Sequence, residues 1–236
     1  MKKHTIACIF AHPDDESFGP SGTLIKLAKQ GHDVYVITAT KGQAGQSSNK
    51  KITGDLGSHR AQELNKACKI MGINPPILLE FFDGTLNEHQ LPLLKKRILD
   101  EINKIKPEVI IVYERGGISY HLDHIAVTKA MLTIYDEGLY KSKKLYYFGL
   151  PSSLSKQIGR ESTLNDERLA VIDVSDQMPI KIKAMKAHES QEKDYLRIIE
   201  RLKAMSKGEY FEYFSLARSE IESLVFPESD LLAGLK

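Results

Sequence analysis

The run Ala11-His12-Pro13-Asp14-Asp15-Glu16 sets one imidazole and three carboxylates on a single turn, directly after the apolar stretch Ile6 to Phe10. A histidine and an aspartate three residues apart can turn an N and an O donor toward one divalent cation, leaving the intervening Asp14 free to handle a proton. A second cluster, His121-Leu122-Asp123-His124, lies in the loop after another apolar stretch, Val109 to Tyr113, and opens a helical pattern at Ile125-Ala126-Val127. If His124 joins His12 and Asp15, two imidazoles and a carboxylate hold a cation with an open face. Zinc with a bound water fits that set. So does non-haem ferrous iron, and donor identity alone does not choose between them.

Positioning these residues calls for alternating strands and helices. Strand-like apolar runs recur at Ile6 to Phe10, Val34 to Thr38, Ile77 to Phe82, Val109 to Tyr113 and Leu145 to Leu150. Helical patterns separate or follow them at Gly22 to Gln30, Ser58 to Met71, Gln90 to Lys104, Asp123 to Tyr135 and Pro179 to Met205. In the last of these, Ile180, Ala184, Ala187, His188 and Gln191 share one face. The alternation implies βαβ units: an α/β, Rossmann-like three-layer sandwich with a mostly parallel central sheet, here a single domain over residues 1–236. Ligands of such sheets collect beyond the carboxyl ends of the strands. His12 to Glu16, Thr40 to Gly45, Asp83-Gly84 and Glu114 to His124 each follow a strand and so share one rim. Thr40 to Gly57 reads as a long loop of the kind that is usually functional, and Pro151 to Glu167 as an irregular excursion.

Composition narrows the functional classes. Of the 236 residues, 42% are apolar, enough for a substantial core, and the net charge of +2 argues against nucleic acid or an anionic membrane as partner. Apolar stretches fall short of the roughly 20 residues a spanning helix needs, so a cytoplasmic protein is expected, with homo-oligomerisation left open. The two cysteines, Cys8 and Cys68, cannot build a disulfide framework or a thiolate zinc site. His4, His32, His59 and His89 lack partners at ligand spacing and read as surface residues.

At the chemistry-bearing residues the chain resembles the LmbE-like, or PIG-L, zinc-dependent de-N-acetylases. The motifs are AHPDDESFGPSGTL (11–24), TKGQAGQ (40–46), LGSHRAQEL (56–64), FFDGTL (81–86), KPEVIIV with GGISYHLDHIAV (106–127) and KAHESQ (186–191). The resemblance implies that His12, Asp15 and His124 hold Zn2+, that Asp14 is the general base toward the zinc-bound water, and that His121 stabilises the oxyanion. It further implies that Asp123 orients His121, that Arg60 contacts the polar or anionic end of the substrate, and that Glu63, His188 and Gln191 serve structural or supporting roles. The substrate it implies is a small N-acetylglucosaminide. Leu122 stands where the family commonly has proline, and Tyr120 is the nearest candidate for a tyrosine that the family often carries beside this motif. Glu16 reads as a turn carboxylate capping the following segment.

Amide chemistry suits such a set. An amide is a poor electrophile, and its hydrolysis needs a nucleophile activated at neutral pH, a Lewis acid on the carbonyl and an acid for the departing amine. Other readings are hydrolysis of a different N-acyl amide, a catalytically silent metal-binding relative, and a nucleotide-binding module suggested by Gly19 and Gly22 opening a helix. The spacing is not G-x-G-x-x-G, and the preceding acidic run would repel a pyrophosphate.

Overall fold

In the computed structural model, which describes residues 2–49, 52, 54–206 and 208–235, the strands are β1 (Thr5–Phe10), β2 (Asp33–Thr40), β3 (Ile77–Phe81), β4 (Val109–Tyr113), β5 (Lys144–Gly149), β6 (Leu169–Asp173) and β7 (Phe211–Ser219). The helices are α1 (Asp15–Phe18), α2 (Ser21–Lys29), α3 (Leu56–Met71), α4 (Leu91–Ile105), α5 (Gly117–Tyr120), α6 (Leu122–Asp136), α7 (Ser152–Gln157), α8 (Met178–Met185) and α9 (Glu192–Met205). Among the described residues the strands form one sheet in the order β3-β2-β1-β4-β5-β7-β6. From β3 to β5 neighbouring strands are parallel, and β7 runs antiparallel between β5 and β6.

Parallel strands buried on both faces need apolar side chains at every position, which is why β4 reads Val-Ile-Ile-Val-Tyr and is buried throughout. Successive residues feed opposite faces. Ile9, Ile37, Ile110 and Val112 pack with Leu94 and Ile98 of α4 and with Val127 and Met131 of α6. Ile6, Cys8, Phe10, Val36 and Ile111 pack with Leu24 and Leu27 of α2. The expected three-layer sandwich with a mostly parallel sheet is therefore present. Strand order reverses between β1 and β4, and both metal-motif segments leave the sheet at this switch point: His12 after β1, His124 at the start of α6 after β4.

Sequence patterning misses three features. Strands β6 and β7 were not anticipated, because β7 is defined by insertion between β5 and β6 rather than by an apolar run of its own. The helix expected over Pro179 to Met205 is interrupted: α8 stops at Met185, a turn follows, and α9 starts at Glu192. That turn carries His188 and Ser190 onto the carboxylates of Glu16 and Glu63, and the hydrogen bonds gained there outweigh continued helix. His4 is buried, not a surface residue, and its Nδ1 lies 2.8 Å from Glu108.

The start of α2 is closed to an external anion. The carboxylate of Glu212 on β7 accepts the backbone N–H groups of Gly22 (2.9 Å) and Thr23 (2.7 Å), and Lys181 balances its charge at 2.6 Å. A protein carboxylate thus fills the place a phosphate would take in a nucleotide-binding loop, and that reading is set aside. Gly22 is required by this packing, since a Cβ there would lie 2.6 Å from Cβ of Val174 and 2.9 Å from Oε1 of Glu212. Gly22→Ala is expected to destabilise the protein by about 1–3 kcal/mol, read as a lower urea midpoint at unchanged slope.

Candidate active site

Three chain segments meet at the rim between β1 and β4. The turn after β1 brings His12, Asp14 and Asp15; the loop after β3 brings Asp83; and the N-terminus of α6 brings His121, Asp123 and His124. Nδ1 of His12 lies 3.1 Å from Nε2 of His124 and 3.7 Å from Oδ2 of Asp15, and Nε2 of His124 lies 3.4 Å from Oδ1 of Asp15.

The hydrogen bonds around the two rings assign their protons. Nδ1 of His124 is 3.0 Å from the carbonyl oxygen of Gly117 and donates to it, which leaves Nε2 as a lone pair. Nε2 of His12 faces Oδ1 of Asp83 at 2.9 Å and Oδ2 of Asp123 at 3.2 Å, so it carries a proton and leaves Nδ1 as a lone pair. Two acceptor nitrogens and a carboxylate so close together repel one another unless a positive charge lies between them. A tetrahedral ion with ligand distances of about 2.0–2.1 Å separates its donors by about 3.3 Å, close to the 3.1 Å between the two histidine nitrogens and the 3.4 Å from His124 to Oδ1 of Asp15, while Oδ2 of Asp15 accepts the backbone N–H groups of Ala11 and His12. The donors therefore fit a divalent cation. With a proton in place of the metal, burial disfavours charge on His12, but its hydrogen bonds to Asp123 and Asp83, with Asp15 nearby, overcome this and push its pKa up to about 10. Burial likewise opposes ionisation of Asp15, yet His124 and His12 hold its carboxyl below the usual range.

Several residues brace this group. The Asp123 carboxylate accepts the N–H groups of Gly84 (2.7 Å) and Leu86 (3.0 Å) besides facing His12, which commits its lone pairs away from the centre. The sequence reading had Asp123 orienting His121. Its side chain instead supports His12, and its link to His121 is its backbone N–H, which donates to Nδ1 of His121 at 3.2 Å. That bond leaves the proton of a neutral His121 on Nε2, a donor aimed away from the backbone. Burial, with His12 and His124 beside it, pushes the pKa of His121 down. Gly117 has φ of +65° and lies so near His124 that a Cβ would sit 2.8 Å from the histidine Cβ. Tyr113 stacks on the His124 ring, centroids 4.2 Å apart at 8°.

Asp14 sits in strained backbone, φ +116° and ψ −28°. Its carboxylate meets Nη2 of Arg60 at 2.9 Å. Burial raises the Asp14 pKa to about 7, against the lowering effect of Arg60. Arg60 was expected to face the substrate. It is instead 4% exposed, with its guanidinium donating to the carbonyls of Pro13 and Gly42 as well as to Asp14. Tyr120, the candidate tyrosine, is 53% exposed and hydrogen-bonds the backbone of Glu161. Glu63 accepts from the N–H and hydroxyl of Ser190, and Gln191 donates to Gln46, so these two hold the long loop and α3 against the turn before α9. Asp83 and Tyr113 were not singled out as site residues. Asp83 was legible only as a rim aspartate in FFDGTL, whereas Tyr113 has no sequence signal beyond closing β4.

Comparison with known proteins decides the family. Residues 7–135 match the family described as PIG-L, GlcNAc-PI de-N-acetylase. The chain belongs to that family. The probable N-acetyl-alpha-D-glucosaminyl L-malate deacetylase 2 of Bacillus subtilis (strain 168) is 31% identical over 205 residues, covering 85% of this chain and 88% of the relative. Membership and this relative make the chain an amide-cleaving hydrolase. Two solved structures share the fold: N,N'-diacetylchitobiose deacetylase from Pyrococcus horikoshii (TM-score 0.69, 19% identity, 90% of this chain and 83% of that one) and GalB, the 4-carboxy-2-hydroxymuconate hydratase from Pseudomonas putida KT2440 (TM-score 0.72, 16% identity, 94% and 99%). No helix among the described residues of this PIG-L member is long and apolar enough to cross a membrane.

Because Asp123 faces Nε2 of His12, Asp123→Asn is expected to weaken binding of a divalent cation at these donors about 10- to 100-fold in competition with a chromogenic chelator, with the far-UV circular dichroism unchanged.

Proposed function

We propose that this chain is a zinc-dependent N-deacetylase of small N-acetylglucosamine-containing molecules, with His12, Asp15 and His124 as the metal ligands and ferrous iron as the alternative occupant of the same donors. The observation that carries this reading is the convergence of two imidazole lone pairs and one carboxylate beside Asp14, whose carboxylate is held by Arg60 and whose pKa burial raises to about 7. A metal held there would polarise the acetyl carbonyl and ease deprotonation of the attacking water.

The chain's own residues supply the remainder. Asp14 takes the proton of the attacking water as its oxygen bonds to the acyl carbon, and returns it to the nitrogen as the C–N bond breaks, leaving an amine and acetic acid, which gives up its remaining proton to solvent. A carboxyl near pH 7 suits both directions, because it is neither too weak a base to accept nor too weak an acid to donate. Arg60 fixes the carboxylate by pinning both Pro13 and Asp14. Nε2–H of His121 donates to the carbonyl oxygen as negative charge develops there, a contribution of about 3 kcal/mol for one well-placed donor. The N-acetylglucosaminide class follows from family membership and from the relatives' substrates, a glucosaminyl malate and diacetylchitobiose.

The test is amine release from a panel of N-acetylglucosamine, its methyl glycoside, N,N'-diacetylchitobiose and N-acetylglucosaminyl malate, using zinc-loaded and chelated protein. Metal-dependent release from at least one member is expected, and none from any would overturn the substrate assignment. Asp14→Asn is expected to keep one zinc per chain and to lose about 10²- to 10⁴-fold in kcat. Loss of the metal from a folded Asp14→Asn protein would remove Asp14 from the role of base and place it among the ligands.

A further inference from the structure

Glu16, the residue after Asp15, and His188 form a buried pair. Both are 0% exposed, and Nε2 of His188 lies 2.8 Å from Oε1 of Glu16 across 172 residues of chain. The same Oε1 accepts the hydroxyl of Ser17, and the other oxygen, Oε2, accepts the backbone N–H of Asp14 at 3.1 Å. Phe18 meets the His188 ring edge to face, centroids 6.0 Å apart. Nδ1 of His188 is buried and finds no hydrogen-bond partner among the described residues.

Such a pair is a poor device for stability. Removing a carboxylate and an imidazole from water carries a desolvation penalty that their attraction often fails to repay, and apolar residues of the same volume often hold a core equally well. An orphaned ring nitrogen adds to the cost. The pair's geometric effect is specific, however. Asp14 adopts φ of +116°, where a non-glycine residue persists only if its surroundings over-determine it. Arg60 restrains the side chain of Asp14 and the carbonyl of Pro13. Glu16 restrains the Asp14 N–H, the group that sets the left-handed turn, and His188 fixes the rotamer of Glu16. The turn that interrupts the helical pattern between α8 and α9 is what delivers His188 to that position.

We infer that His188 is a positioning residue: acting through Glu16, it holds Asp14 in the strained conformation that aims its carboxylate at the reacting atoms. This rests on the reading of Asp14 as the base.

The experiment measures kcat, KM and zinc affinity for His188→Leu, His188→Gln and His188→Asn, each alone and in the Asp14→Asn background, on the panel member cleaved fastest by the wild type. A displacement of about 1 Å at a reacting group costs about 10²-fold, so His188→Leu is expected to lower kcat about 100-fold with KM and zinc affinity nearly unchanged. The glutamine amide can place a nitrogen where Nε2 stood, and His188→Gln is expected to recover most of the rate. Asparagine reaches only the Nδ1 position, so His188→Asn is expected to stay slow; this contrast carries the test even if the leucine variant fails to fold. In Asp14→Asn protein the His188 substitutions are expected to cost nothing further, because there is no base left to aim. Equal loss in both backgrounds, or equal rates for the glutamine and asparagine variants, would overturn the inference. Full activity in Asp14→Asn would instead remove the base assignment beneath it.

Discussion

Around His12 three carboxylates, from Asp15, Asp83 and Asp123, crowd a space that also receives the lone pair of His124. Acceptors so closely set in a partly dry environment repel one another strongly, and the arrangement persists only with a positive charge at its centre. A proton on His12 can serve: against the opposing effect of burial, hydrogen bonds to Asp123 and Asp83 raise its pKa. A divalent cation serves better, since it can face both nitrogens and Asp15 at once. A metal held there would compete with that proton for one place, and the carboxylates of Asp83 and Asp123 would favour either occupant by holding His12 from behind.

The fold supplies what that constraint demands. Strand order reverses between β1 and β4, so the segments leaving these two strands diverge to opposite faces and open a crevice at the rim. Backbone of an unfavourable kind is concentrated there: Asp14, Ile118 and Tyr120 all have positive φ. Each is tied down. Arg60 and Glu16 restrain Asp14, while Thr163 and Arg160, from the excursion after β5, hydrogen-bond Glu114 and Ile118 in the loop that leads to His121. Strain of this sort is paid for by the surrounding packing, and it leaves the reacting groups little freedom to relax.

The likeness to GalB sets a boundary on fold-level argument. A hydratase and a deacetylase share this architecture at comparable TM-scores, so the sheet and its switch point provide a place for chemistry without naming it. The assignment to amide cleavage comes from membership in the PIG-L family and from the relative at 31% identity.

Sequence alone determined the alternation of strands and helices and the rim to which His12, Asp14, Asp15, His121 and His124 are brought, because apolar periodicity and the residues that follow each strand are local properties. Tertiary structure decided the rest. That Arg60 turns inward to Asp14, that Asp123 supports His12 rather than His121, and that Asp83 joins the group each depend on which loops the sheet order brings together, and spacing along the chain does not encode that. Strands β6 and β7 and the break before α9 were hidden for the same reason: β7 is a strand because two neighbours offer it hydrogen bonds, and helix yields at residues 186–191 because Glu16 and Glu63, far away in sequence, offer buried carboxylates to His188 and Ser190.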